Sequence, residues 1–287
     1  MRPPALRLPF RQLLVIVLAL LFALIVQAWL SRFLHAHGYE ALQAHYLAYL
    51  VVPPILLLML APVLHEHRDF LQRLFSPRGF TLKIAFAAIA LGVASRLVWW
   101  AQLAARVSLG ISVNEDPQAI VGPAFSWACP PFPSLLLGLV VMAVLIPIME
   151  ETIDRGLLQS AFVHKGPLPA ILFSAAVFTV FHPPSSYWFV FLMGVMLGVQ
   201  FWLTRTLWAT ILTHATYNGL IQFDWRCLQG QWNPPPESLP LMVPGIVALA
   251  ALAGALLLVI LLLRIQRAGA QAAPATAAPK TRSQPFR

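Results

Sequence analysis

The sequence predicts an all-α polytopic membrane protein with about eight transmembrane helices and both termini in the cytoplasm. Three observations carry this expectation. Of 287 residues, 59% are hydrophobic and only 10% are charged, with a mean hydropathy of +0.76; soluble chains carry about 25% charged residues. Apolar runs recur at close to the ~20 residues that a helix needs to cross a bilayer. Basic residues crowd into alternate connections, as the positive-inside rule requires.

The first span is read at about 12–30, after a basic segment 1–11 with Arg2, Arg7 and Arg11. Its apolar run, Leu13 to Leu30, is too long for a signal-peptide core. No small-x-small cleavage site follows, so the span is retained. Further spans are read at about 46–64 and 82–104. The fourth, 134–158, runs past its apolar half into a charged segment, Glu150 to Arg155. The fifth, 168–182, is short and stops at Pro183-Pro184, because proline cannot continue a helix. The remaining spans are read at 186–204, 206–223 and 241–263. The chain thus divides into segment 1–11, N-terminal helices and loops over 12–133, a polar-motif core over 134–223, an outer loop and last helix over 224–267, and a tail over 268–287. The tail is Ala/Pro-rich and basic and lacks the apolar residues to fold.

With the N-terminus inside, cytoplasmic segments hold fourteen basic residues and external ones three, Arg32, Arg106 and Arg226. Five acids, Glu40, Glu115, Asp116, Asp224 and Glu237, lie outside. The formal net charge of +9 is therefore a topology signal first. No nucleic-acid motif or aromatic–basic interleaving occurs, so the expected partners are the bilayer and a protein or peptide. The two cysteines, Cys129 and Cys227, both fall in outer loops. They can form a disulfide if that face is oxidising or stand as two unrelated thiols. Composition points to a bacterial inner membrane.

Three polar steps lie inside the apolar spans: Glu150-Glu151-x-x-x-Arg155, Phe178-x-x-x-His182 and His214-x-x-x-Asn218. A charge at bilayer depth costs at least ~2.5–3.5 kcal/mol. Residues four apart share a helix face, so Glu151 and Arg155 can pair along their own helix. Glu150 is rotated ~100° away and is left for chemistry, while Asp154 can compete for Arg155. A rise of ~1.5 Å per residue brings Glu150, His182, His214 and Asn218 to the middle part of the bilayer. A glutamate beside an imidazole can deprotonate water. A second imidazole and an amide can supply donors to an oxyanion. Together they suit water attack on a peptide carbonyl.

EExxxR, FxxxH and HxxxN, in this order on successive apolar spans, resemble the CAAX prenyl protease and bacteriocin-processing family of intramembrane glutamic-type endopeptidases. The resemblance covers roughly 134–223. It implies an eight-helix fold with a membrane-embedded catalytic cavity and no cofactor. Carried over, it makes Glu150 and His182 the water-activating pair and His214 and Asn218 the oxyanion site, with Glu151, Arg155 and Phe178 in support. One position departs: the family commonly reads EExxFRG, whereas Asp154 stands before Arg155 and Gly156 here.

Other readings remain open at this level. Glu150, His182 and His214 are also zinc-type ligands, although the HExxH signature is absent. A non-catalytic immunity or chaperone-like scaffold of the same fold is a second alternative. A transporter or proton relay is a third, without the internal repeat it predicts. GxSxG is missing, and neither cysteine falls in a core span, so serine and cysteine mechanisms fit poorly. His65-Glu66-His67 reads as a solvated cytoplasmic loop. His35, His37 and His45 are assigned to the surroundings of an outer loop. Arg96, inside the third span, snorkels or pairs with Asp154 or Glu115.

Overall fold

The computed structural model describes residues 5–77, 79–108 and 132–222, together with Ala253, Gly254, Leu257 and Arg264. Cys129, Cys227, Glu115, most of 241–263 and the tail 268–287 lie outside the described residues. All regular structure among the described residues is helical. We label the helices α1 (Phe10–Ala36), α2 (Ala41–Glu66), α3 (Arg68–Leu74), α4 (Leu82–Ser108), α5 (the helical run Phe132–Lys165), α6 (Pro167–Val180), α7 (Tyr187–Thr204) and α8 (Leu207–Ile221).

Among the described residues five segments are long and apolar enough to cross a membrane: α1, α2, Leu82–Trp99 of α4, α5 and α7. Two of the expected spans are shorter. α6 has 14 residues, about 21 Å at ~1.5 Å per residue, against a hydrocarbon core of ~30 Å. It starts where Gly166, at φ +102°, turns the chain and Pro167 opens the helix. It ends at Val180, because the residue before a proline is pushed out of the helical region. His182 therefore lies just past the helix end rather than within it. α8 has 15 residues. It follows α7 through Arg205, at φ +58°, and Thr206, whose side chain caps the Trp208 N–H.

Helix α5 is central and contacts α2, α6 and α8. Around it α1 packs on α2, α6 on α7, and α4 on α8. The interior holds a large apolar core, with Leu157, Leu197 and Phe201 fully buried, and a polar cluster beside it. Glu151, Arg155, Gln159, Gln200 and Thr213 are fully buried, while Phe10 (77% exposed) and Leu58 (79% exposed) face outward. Exposed apolar faces of this kind suit contact with lipid. Inside, several buried polar groups serve as helix joints. Ser174 Oγ donates to the Asp154 carbonyl (2.9 Å), and Thr213 Oγ1 donates to the Ala88 carbonyl (3.0 Å). At the end of α3, Thr206 Oγ1 and Trp208 Nε1 donate to the Leu74 and Phe75 carbonyls.

Close approach of α6 and α7 depends on Gly194 and Gly198, four residues apart. A methyl group on Gly194 would meet the Ala175 Cα at 3.0 Å, and one on Gly198 would meet Ile171 Cγ2 at 2.9 Å. This is the small-residue helix contact common in membranes.

Two loop readings change. His45 is not an outer-loop residue; it is 7% exposed within α2. Only the first turn of α2, capped by the Glu40 carboxylate on the Leu42 and Gln43 N–H groups, is near the loop. The His65-Glu66-His67 step closes α2 and binds the start of α1. Gln12 Nε2 donates to Glu66 (2.7 Å), and His67 Nε2 lies 2.9 Å from Gln12 Oε1.

Replacing Gly194 with Leu should force α6 and α7 apart, at a cost of at least about 1–3 kcal/mol. The expected result is a lower melting temperature and less monodisperse protein in detergent. An unchanged melt would show that the close contact is not needed.

Candidate active site

The winding of α5 changes at the motif. Val141–Leu145 and Thr152–Gln159 are π-helical, flanking an α-helical Ile146–Glu151. π-Turns are uncommon and concentrate at functional sites. The second one begins immediately after Glu151 and carries Arg155 and Gln159 against α7. Arg155 Nη2 donates to the Gly194 carbonyl (3.0 Å) and Gln159 Nε2 to the Gly198 carbonyl (2.9 Å). The same glycines that admit α6 thus expose two carbonyls as acceptors.

Glu151 and Arg155 pair at 3.1 Å, both fully buried. Asp154 does not share this contact. Its side chain instead lines a small cavity of about 60 Å³ with Glu150, bounded by α1 and α2. The Arg155 guanidinium also sits 4.8 Å from the centre of the Phe178 ring, a cation–π distance. Phe178 packs on both histidines, edge-on to His214 at 5.8 Å and tilted against His182 at 4.6 Å.

Hydrogen bonds fix how each histidine is used. The Phe178 carbonyl can only accept, and it lies 2.7 Å from His182 Nδ1. Nδ1 therefore carries the proton and donates, leaving Nε2 of the neutral ring as an acceptor. His214 Nδ1 lies 3.0 Å from Glu151 Oε1, and its Nε2 lies 3.7 Å from Glu150 Oε2. The carboxylate of Glu151 thus receives both Arg155 and His214 Nδ1–H, and Nε2 is turned to Glu150. One turn on, Asn218 Nδ2 donates to the Met142 carbonyl (2.8 Å), in the first π-helical stretch.

Glu150, Phe178, His182, His214 and Asn218 line one cavity of about 570 Å³. Glu150 keeps 21% of its side chain accessible there, whereas Glu151 has none. Among the described residues no three His, Cys, Asp or Glu side chains converge as metal ligands. Several cavity-lining residues were not singled out from the sequence as site residues. Gln27, Arg32, His45, Tyr49 and Trp99 come from the first three spans, and Tyr217 and Gln222 from α8. The available signal was the four-residue step His45-x-x-x-Tyr49 inside an apolar run.

Arg155→Leu strands Glu151 as a buried charge, and breaking such a pair costs about 3–5 kcal/mol. The expected outcome is loss of folded protein in size-exclusion chromatography. A well-folded variant would show that His214 alone supports Glu151.

Among the curated proteins and the solved structures, nothing matches this chain. A family model described as "Type II CAAX prenyl endopeptidase Rce1-like" matches residues 132–220. That segment holds α5 to α8, all three polar steps and every charged group of the cavity's motif side. Residues 132–220, which gather Glu150, His182 and His214 on one cavity, are thus similar to this Rce1-like family of CAAX prenyl endopeptidases.

Proposed function

We propose that this protein is an intramembrane endopeptidase that hydrolyses a peptide bond in a membrane-associated or lipidated protein or peptide. The observation that carries this reading is the convergence of Glu150, His182, His214 and Asn218 on one cavity among apolar helices. Glu150 and His182 Nε2 are both acceptors, so together they can hold the two hydrogens of a water. Glu150 takes one proton as the water oxygen bonds to the peptide carbonyl carbon. The carbonyl oxygen becomes an oxyanion, met by the second Asn218 N–H and by His214. His214 Nε2 donates once it carries the proton, which Glu150 at 3.7 Å can pass to it. The proton returns to the amide nitrogen as the C–N bond breaks, giving an acid and an amine. Glu151, Arg155 and Phe178 hold the two imidazoles in place. In this reading both termini are cytoplasmic, on the strength of fourteen basic residues against three, and the membrane is a bacterial inner membrane.

Membrane-proteome termini compared between cells expressing wild type and Glu150→Gln at matched abundance test the reading. Termini unique to wild type are expected. Identical termini, with substrates adequately sampled, would favour the non-catalytic scaffold. On a quenched-fluorescent farnesylated CAAX peptide, Glu150→Gln should lower kcat by about 10²–10⁴.

Asn218→Ala should lower kcat by about 10²–10³ with little change in KM. A pure KM effect would remove Asn218 from the oxyanion site. Prolonged treatment with a zinc chelator should leave activity intact. Loss of activity restored by added Zn²⁺ would install the metal-dependent alternative.

A further inference from the structure

The cavity has a second polar wall, outside the family-matched segment. Gln27 of α1 and His45 and Tyr49 of α2 line the same cavity as Glu150. Gln27 and Tyr49 also line the small cavity that Glu150 shares with Asp154. Their polar groups are not spent on holding helices together. The other buried glutamines each have a protein partner: Gln159 on Gly198, Gln200 on Thr213, and Gln222 on Asn218 and Tyr46. Gln27 is 8% exposed and bonds none of the described residues. His45 is 7% exposed, and its enclosed Nδ1 finds no partner among them. The atom His45 has to offer a ligand is then Nε2. The wall thus offers polar groups of Gln27, His45 and Tyr49 to whatever enters the cavity, and a ligand's own polar groups need such partners once they leave water.

The wall is held in register with the catalytic side. Tyr46, next to His45, turns the other way and its hydroxyl bonds Gln222, whose amide binds the Asn218 carbonyl. Gly138 makes room for that joint, since a methyl group there would meet Tyr46 Cζ and Gln222 Oε1 at 2.7 Å. His45 and Tyr49 are one turn apart on α2, with ring centres 4.7 Å apart. Their positions are ~6.0 Å apart along the helix. Same-facing residues of an extended chain repeat every ~6.6 Å. An extended peptide carries N–H and C=O groups that need partners in a water-poor cavity, and a glutamine amide can serve both.

We propose that Gln27, His45 and Tyr49 form a subsite that binds the main chain of an extended peptide substrate beside Glu150. This rests on the endopeptidase reading for its substrate, but not on catalysis for its test. The full chain carrying Glu150→Gln is placed in nanodiscs, and binding of a fluorescent farnesylated CAAX peptide is measured. His45→Leu, Gln27→Leu and Tyr49→Phe should each weaken it by about 3–10-fold, the worth of one net hydrogen bond. His45→Gln, which keeps a donor, should restore most of the loss. Replacing single peptide amides by esters should cancel the effect of individual variants, a coupling that a fold defect does not produce. Binding of farnesyl-cysteine methyl ester should be unaffected.

Equal affinity of amide and ester peptides across all variants overturns the subsite, as does absence of peptide binding. Equal loss for farnesyl-cysteine methyl ester also overturns it, making the wall part of a lipid groove. Wild-type cleavage of the same peptide is read separately. Binding and coupling without cleavage sinks the endopeptidase reading alone; cleavage without coupling sinks the subsite alone.

Discussion

The carboxylate of Glu151 is shared by Arg155 at 3.1 Å and His214 at 3.0 Å, with no part of its side chain exposed. The rest of the site depends on this contact. It joins α5 to α8 directly, and through Arg155 and the Gly194 carbonyl it reaches α7. Phe178 of α6 closes the group against the guanidinium. Two charges inside an apolar bundle are tolerable only because they satisfy each other. That mutual need fixes where four helices sit. It also fixes the tautomer of His214, and so which nitrogen faces Glu150.

The two glutamates divide their work by environment. Glu151 is enclosed and bonded, whereas Glu150, one residue earlier, opens onto the cavity with 21% of its side chain accessible. Adjacent helical positions point ~100° apart, so a single helix supplies both an enclosed carboxylate and one that opens onto the cavity. Asp154 follows Glu150 by one turn and lines the small cavity beside it. The departure from the family's aromatic residue thus adds a carboxylate to the Glu150 side of α5, away from Arg155's ion pair.

Helix packing and the polar cluster use the same atoms. Gly194 and Gly198 let α6 come close, and the absence of side chains there leaves their carbonyls open to Arg155 and Gln159. The π-helical stretches of α5 bring those side chains, and the Met142 carbonyl that orients Asn218, into position. Outer faces carry residues such as Leu58, suited to contact with lipid. A polar cluster thus sits within a largely apolar core, and the outer surface is apolar as well.

Much of this was legible in the sequence. Hydropathy and low charge gave an all-helical membrane protein, because a bilayer admits few other ways to satisfy the backbone. The three four-residue steps marked the resemblance to CAAX proteases and the polar side chains, because charge at membrane depth is costly enough to be informative. Span number was less legible. α6 and α8 stop short at Pro183 and start at Thr206, and hydropathy alone does not count such short helices reliably. The winding of α5 left no sequence signal, since π-turns depend on partners such as the Gly194 and Gly198 carbonyls. His45 was misplaced for the same reason: α2 begins at Ala41, and whether its next turn faces water or a cavity is decided by α8 packing against Tyr46. The sequence by itself determined which residues must be buried together in a membrane. Only the tertiary structure decided which carboxylate is closed and which is open, because that depends on neighbours that helix packing brings from far along the chain.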